Sequence, residues 1–356
     1  MPERLTVLLV FGGKSVEHEV SCESARNIVQ ALDPAKYEVL LVGIDKEGIW
    51  RLCGPEDLRY PECPSDRDEV ALIPHPEGGK LYNLREGRVI ASPRVVFPVL
   101  HGTFGEDGTL QGLLEMVNLP YVGSGVAGSA ICMDKEVTKR LLREADLPVV
   151  RFLVATEDAA PTFLEATERL GLPLFVKPAT LGSSVGAAKV ATEEEFHKAL
   201  EEAFQYDTRV LIEEYIAGRE IECSVLGNEK PFASLPGEIV PHHPFYSYEA
   251  KYLDPEGAEL LVPAPLDEET TKRVQELALR AFLACRCEGM ARVDFFLRGK
   301  DLYISELNTI PGFTKISMYP KLWEASGIPY PELIDRLIAL ALEREEKKRK
   351  LRWSFR

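Results

Sequence analysis

A short run near the C-terminal end limits what this chain can be more than any other stretch. In Y-I-S-E-L-N-T-I-P-G, residues 303–312, Glu306 and Asn308 stand two apart in a strand-like sequence, so both side chains point to one face. A carboxylate beside an amide oxygen offers hard oxygen donors, which suit Mg²⁺ holding phosphate oxygens better than zinc or copper. Upstream, G-M-A-R-V-D-F-F repeats the spacing with Arg292 and Asp294, while Val293 and Phe295 turn toward a core. Gly299, Lys300 and Asp301 separate the two runs, which predicts a hairpin bringing Asp294 beside Glu306 and Asn308. Alone, E-L-N reads equally as the polar face of a half-exposed strand. Together with the residues below it reads as a three-ligand magnesium site with an arginine next to it.

The chain of 356 residues has room for two or three domains. Its net charge of −15, with no basic stripe, argues against a nucleic-acid partner. No apolar run approaches the ~20 residues of a membrane span. Seven irregularly spaced cysteines with no apparent secretory leader read as reduced thiols of a cytoplasmic protein.

L-T-V-L-L-V-F-G-G-K-S opens as a buried parallel strand that feeds a glycine loop. A P-loop is excluded because Leu8 stands where the first glycine would be, and the dinucleotide fingerprint G-x-G-x-x-G is missing. Glu17 follows the strand end, where open α/β sheets place ligands; with Glu19 it also reads as favourable charge at the start of a helix to about Ala31. Tyr37 to Ile44 continues a β-α-β start, and residues 50–93 read as short strands and turns. A buried strand ends at His101 before a glycine-rich turn with Glu106 and Asp107, which read equally as helix caps. Asp134 caps a helix carrying Lys135. Lys177 ends an apolar strand without a nearby partner in sequence, which favours an anionic ligand. The following T-L-G-S-S-V-G predicts a phosphate-covering loop with Ser183, Ser184 and Gly186. Glu213, Glu214 and Glu220 lie along a connection between domains, and residues 244–258, with three tyrosines and Lys251, read as a long loop of the kind that forms lids. Pro331 starts the last helix, whose E-R-E-E-K-K-R-K reads as a solvated end.

From G-G-x-S-x-E-H-E-V-S to E-x-N-x-x-P-G-F-T, over Leu5 to about Leu340, the chain resembles the D-alanine:D-alanine ligases of the ATP-grasp superfamily. The resemblance implies an α/β, three-domain ATP-grasp architecture: residues 1–123 as a doubly wound domain for the first D-alanine and dimerisation, 124–212 as a central domain with a glycine-rich flap, and 213–356 with the lid and metal site. It implies ATP and two Mg²⁺ ions, exchangeable for Mn²⁺, a homodimer, and two D-alanines joined for peptidoglycan precursor synthesis. By the same resemblance Lys135 and Lys177 meet phosphates, Ser183, Ser184 and Gly186 form the flap, Glu213 meets the adenine amino group with Ile216 nearby, and Glu220 meets the ribose. Asp294, Glu306 and Asn308 hold the metal. Glu17 takes the first D-alanine's ammonium with His101 nearby, while Lys251, Ser317 and Met318 face the second substrate. Arg292 and the Gly312 N–H form the oxyanion site. Glu17, Ser183 and Tyr252 form a triad that closes the lid.

Ligation of D-serine or D-lactate to D-alanine, or a non-catalytic ATP-binding regulator on the same fold, are the rival readings. The regulator is disfavoured because a nucleotide sensor has no use for an oxyanion cation. A Rossmann dehydrogenase is disfavoured by the missing fingerprint.

Overall fold

The apolar run at the N-terminus forms β1 (Leu5–Gly12), whose residues from Val7 onward are buried, so it must lie inside a sheet. The computed structural model describes residues 4–182, 185–242 and 257–352. After β1 the chain continues through α1 (His18–Ala31), β2 (Tyr37–Ile44), β3 (Trp50–Cys53), β4 (Val70–Ile73), β5 (Lys80–Asn83), β6 (Arg88–Ala91) and β7 (Val95–Pro98). Among the described residues, β1 pairs in parallel with both β2 and β7, and the sheet order is β3-β2-β1-β7. The β-α-β start is therefore present, and β4, β5 and β6 form a small separate sheet of short strands.

Next come α2 (Thr109–Met116), α3 (Val126–Met133), α4 (Lys135–Glu144), β8 (Phe152–Thr156), α5 (Phe163–Leu170), β9 (Leu174–Pro178), β10 (Ala188–Val190), α6 (Glu193–Phe204) and β11 (Arg209–Glu214). The predicted cap at Asp134 forms, its side chain accepting from the backbone N–H groups of Glu136 and Val137, and Thr162 closes a capping box with Glu165. The second sheet runs β10-β9-β11-β8. Residue 212 falls within β11, which keeps its pairing with β9 through Glu214.

The third sheet gathers β12 (Arg219–Gly227), β13 (Phe232–Ala233), β14 (Gly237–Pro241), β15 (Ala258–Leu261), and, after α7 (Glu268–Ala284), β16 (Gly289–Arg298) and β17 (Asp301–Asn308). Its spine is β12-β16-β17. The tight loop between β16 and β17 contains Gly299 at φ +62°, a conformation that suits glycine. α7 covers one face of this sheet with Val274, Leu277, Ala278, Ala281 and Phe282.

The last two helices, α8 (Met318–Ala325) and α9 (Tyr330–Arg349), are where the structure departs from the sequence reading. Leu333, Ile334, Leu337 and Ile338 of α9 share a core with Val7, Leu9, Phe11 and Phe97 of the first sheet. Pro331 sits at the second helical position, after Tyr330. The charged tail is not simply solvated. Arg344 is buried and donates to the carbonyls of Tyr121, at 2.7 Å, and Gly123, pinning the segment between the first two sheets.

Candidate functional site

Antiparallel pairing of β12, β16 and β17 places three carboxylates in a row. Glu222 lies opposite Asp294, and Asp294 opposite Glu306. The next row holds Arg292 opposite Asn308. Like charges directly opposite one another are unfavourable unless a cation intervenes, and Arg292 does so. Its Nε and Nη2 each donate to an Asp294 oxygen at 2.7 Å, and its Nε is 3.0 Å from Glu222 Oε2. Burial disfavours the guanidinium charge, but Asp294 and Glu222 outweigh it and hold the group well above the ordinary arginine range. Asn308 Nδ2 donates to Asp294 at 2.9 Å, so the hairpin brings the three predicted ligands together. Glu306 is 3.8 Å from Lys135 Nζ.

These donors fit a magnesium ion. Among the described residues no three His, Cys, Asp or Glu side chains form a ready-made metal cage. A magnesium site that shares its ion with substrate phosphates needs only one or two carboxylates, and all three groups here offer oxygen.

Lys135, at the first position of α4, also donates to the Leu181 carbonyl at 2.6 Å and is pushed below the usual lysine range by burial. One helical turn on, Lys139 is fully buried and 3.0 Å from Glu213 Oε1, while Lys177 on β9 is 3.0 Å from Glu213 Oε2. Lys177 thus has an anionic neighbour of its own, supplied by the adjacent strand β11, which the sequence reading did not provide for. Burial pushes the Glu213 carboxyl up, but the two ammonium groups outweigh it and hold it below the usual range. Ile216 is buried just beyond β11, and Glu220 is half-buried on β12. Gly186 has φ +67°, and a Cβ there would lie 2.8 Å from Tyr206, so the described end of the glycine-rich loop has no space for a side chain.

Facing these groups is a second cluster, on the first sheet. Glu17 is the N-cap residue of α1, yet its side chain does not cap the helix. Its Oε2 lies where Cβ atoms on Gly102 and Gly182 would approach to 3.1 and 3.6 Å. His101 Nδ1 is 2.9 Å from the Ile310 carbonyl, the donor arrangement, and burial pushes the imidazole below its ordinary value toward the neutral form. Glu106 accepts from the backbone N–H groups of Gly102 (2.9 Å) and Ile310 (2.8 Å), and burial and then Glu17 raise its carboxyl to about 7. Ser24 accepts from Phe313 N–H at 3.1 Å, which ties α1 to the P-G-F-T turn. In that turn a Cβ on Gly312 would lie 2.6 Å from Ser317 Oγ, so a larger residue there would displace the serine hydroxyl. Ser317 accepts from Thr314 N–H at 3.0 Å. Met318 packs with Ile239 and Leu322.

Ser183, Ser184, Lys251 and Tyr252 lie outside the described residues, so the Glu17, Ser183 and Tyr252 triad is not visible as a unit. Lys139, Glu222 and Ser24 were missed from the sequence. Lys139 stands four residues after Lys135 and Glu222 two after Glu220, spacings that share a face on a helix and a strand respectively.

The family models describing the N-terminus and C-terminus of D-ala D-ala ligase match residues 6–124 and 141–339. A D-alanine–D-alanine ligase of Oceanobacillus iheyensis is 51% identical over 97% of both chains. Among solved structures, the D-alanine-D-alanine ligase of Coxiella burnetii superposes with a TM-score of 0.88 at 44% identity, covering 98% of this chain and 97% of its own. The VanG D-Ala:D-Ser ligase of Enterococcus faecalis follows at 0.86 and 34%, covering 95% of this chain and 100% of its own. With both family models matched in order and half its residues shared with a full-length relative, the chain belongs to the D-Ala-D-Ala ligase family of ATP-grasp fold.

Proposed function

We propose that this chain is the ATP-dependent ligase that joins two D-alanines into D-alanyl-D-alanine for peptidoglycan precursors. One observation carries the reading: the nucleotide-facing and first-sheet clusters meet at Arg292, which pairs with Asp294 and also bears electrostatically on His101 and Glu106. A carboxylate is a poor acyl donor, so ATP first converts that of the first D-alanine to an acyl phosphate. The amine of the second then attacks the carbonyl, and phosphate leaves.

In this reading Glu17 holds the first ammonium, with neutral His101 beside it. Lys135 and Lys177 hold phosphates, Glu213 and Ile216 the adenine, and Glu220 the ribose. Asp294, Glu306 and Asn308 would hold two Mg²⁺ ions, with Mn²⁺ as a substitute, and the bound metal neutralises the transferring phosphoryl oxygens. Arg292 and the Gly312 N–H stabilise charge growing on the carbonyl oxygen, a contribution of about 10²- to 10³-fold per donor. Ser317 and Lys251 receive the second substrate's carboxylate, with Met318 beside that substrate. Ser183, Ser184, Gly186 and Tyr252 exclude water from the acyl phosphate.

The division at residues 123 and 212, a cytoplasmic location and a homodimer through the first domain are parts of the same proposal. The exposed Met116 and Leu113 on α2 support the dimer, and sedimentation would test it. No described helix is long and apolar enough to cross a membrane.

The deciding experiment measures phosphate release and dipeptide from ATP with D-alanine, against D-serine, D-lactate and no amino acid. D-alanine is expected to dominate; ATP turnover without any acceptor product would overturn the reading. Arg292→Lys should keep the KM for ATP and lower kcat about 10²-fold, because an ammonium lacks the planar fork.

A further inference from the structure

Arg292 is held by more carboxylate than its single Nε–H can serve. Asp294 Oδ1 is 2.7 Å and Glu222 Oε2 3.0 Å from that one nitrogen, and one hydrogen cannot point at both. Asp294 has the better geometry because its second oxygen also meets Nη2. Asp294 is in turn the residue read as a metal ligand, and its Oδ2 already accepts from Arg292 and Asn308. Turning that oxygen to a cation takes it from the Asn308 amide or from Arg292 Nη2, and in the second case Asp294 loosens its fork on the arginine.

We propose that Glu222 is a positioning residue that takes over the Nε–H of Arg292 when Asp294 turns to a cation, keeping the guanidinium aimed at the reacting carbonyl. The placement supports this. Glu222 sits on β12 directly opposite Asp294, it is buried, and its oxygen is already within reach of Nε. Ser224, opposite Arg292 on the same strand, donates its hydroxyl to the Tyr319 carbonyl at 3.4 Å and carries no charge to compensate the guanidinium. Glu222 also keeps the arginine's charge compensated. Without it, an Asp294 drawn to a cation leaves Arg292 beside that cation with no carboxylate on its Nε edge, which opposes cation binding. The inference rests on the reading of Asp294 as a metal ligand.

The test is Glu222→Gln in the full-length protein, read in two ways. Mn²⁺ binding in the presence of ADP, followed by electron paramagnetic resonance, is expected to weaken about 10-fold, and kcat to fall about 10- to 100-fold with the KM for ATP within about twofold. A merely structural role would shift thermal stability and leave both readouts in place. Should the Gln variant not fold, Glu222→Asp keeps the buried charge but withdraws the oxygen by one methylene, and is expected to show the same two losses by smaller factors. Normal Mn²⁺ affinity and kcat in the folded variant overturn the proposal. Asp294→Asn separates the two levels: if it loses Mn²⁺ while Glu222→Gln keeps it, the hand-over is wrong and the metal reading stands. If Asp294→Asn also binds Mn²⁺ normally, both fall.

Discussion

The two halves of the site solve opposite electrostatic problems with the same kind of residue. Around Glu213, a buried carboxylate is balanced by two lysines, so this half rests on internal ion pairs. Around Glu17 and Glu106, two carboxylates come close and the adjacent histidine is held toward its neutral form. The first arrangement suits an incoming anion. Phosphate can draw Lys177 from Glu213 while Lys139 stays behind as the counter-charge. The second suits an incoming cation, since an ammonium relieves the repulsion between the carboxylates. Charge balance within each half thus mirrors the charge of the ligand that half is read to accept.

Neutralising one residue on each side should break the symmetry most visibly. Lys139 and Glu213 have side chains 0% and 3% exposed, so Lys139→Met leaves a buried carboxylate with only Lys177. The expected loss is about 3–5 kcal/mol in urea unfolding, the range for breaking a buried pair from one side. Glu17→Gln removes a charge that opposes Glu106 and should leave stability unchanged or slightly higher, while D-alanine KM rises. Equal losses for the two variants would mean that the halves are not electrostatically distinct.

How far this contrast can be read from sequence depends on whether the partners share an element. Asp294, Glu306 and Asn308 were legible because an i, i+2 spacing and a two-residue turn fix their geometry within one hairpin. The β-α-β start and the cap at Asp134 were legible for the same local reason. Lys139 was not, because a helix lysine looks solvated until β11 brings Glu213 beneath it. Arg344 was missed in the same way: it lies in a run of charges, and only the packing of α9 on the first sheet turns it toward Tyr121. Glu222 becomes informative once β12 is known to neighbour β16.

Opposite pH signs sharpen the comparison. Glu106 has its folded-state value raised from 4.5 to about 7, first by burial and then by Glu17. Its protonated form is therefore favoured by folding. The stabilisation is complete below the unfolded value and is lost as pH rises through about 7, by about 3 kcal/mol. Glu213 is shifted the other way, so its contribution is present above the ordinary carboxylate value and lost as pH falls through its lowered one. Neutral His101 adds stability as pH rises to about 6.5 and Glu106 removes it up to about 7, so unfolding free energies from pH 5 to 8 should rise more steeply in Glu106→Gln than in the parent. The same slope in variant and parent would show that Glu106 does not titrate in this range. D-alanine binding near pH 7 should also release a proton, because the ammonium lowers Glu106; calorimetry in buffers of different ionisation enthalpy reads it directly.

The smallest effect concerns the joint between the halves. Ser24 Oγ accepts the Phe313 N–H at 3.1 Å and lies 3.5 Å from His101 Nε2, so one hydroxyl on α1 contacts both the P-G-F-T turn and the histidine. The turn carries Gly312, whose N–H is read as an oxyanion donor, and the Asn27 amide donates to the same Phe313 at its carbonyl, 3.3 Å away. Ser24→Ala removes the acceptor and leaves a buried N–H, at a cost of about 1 kcal/mol or slightly more. Asn27 and Tyr330 still hold the Phe313 carbonyl, so the turn shifts rather than detaches. If the joint aligns the Gly312 N–H with the reacting oxygen, kcat should fall several-fold while ATP KM holds steady. If it serves the first-sheet cluster alone, through His101, D-alanine KM should rise with kcat preserved. Steady-state kinetics on this one variant therefore assign Ser24 to one half of the site or the other, and Ser24→Thr, which restores the hydroxyl, should recover whichever constant was lost.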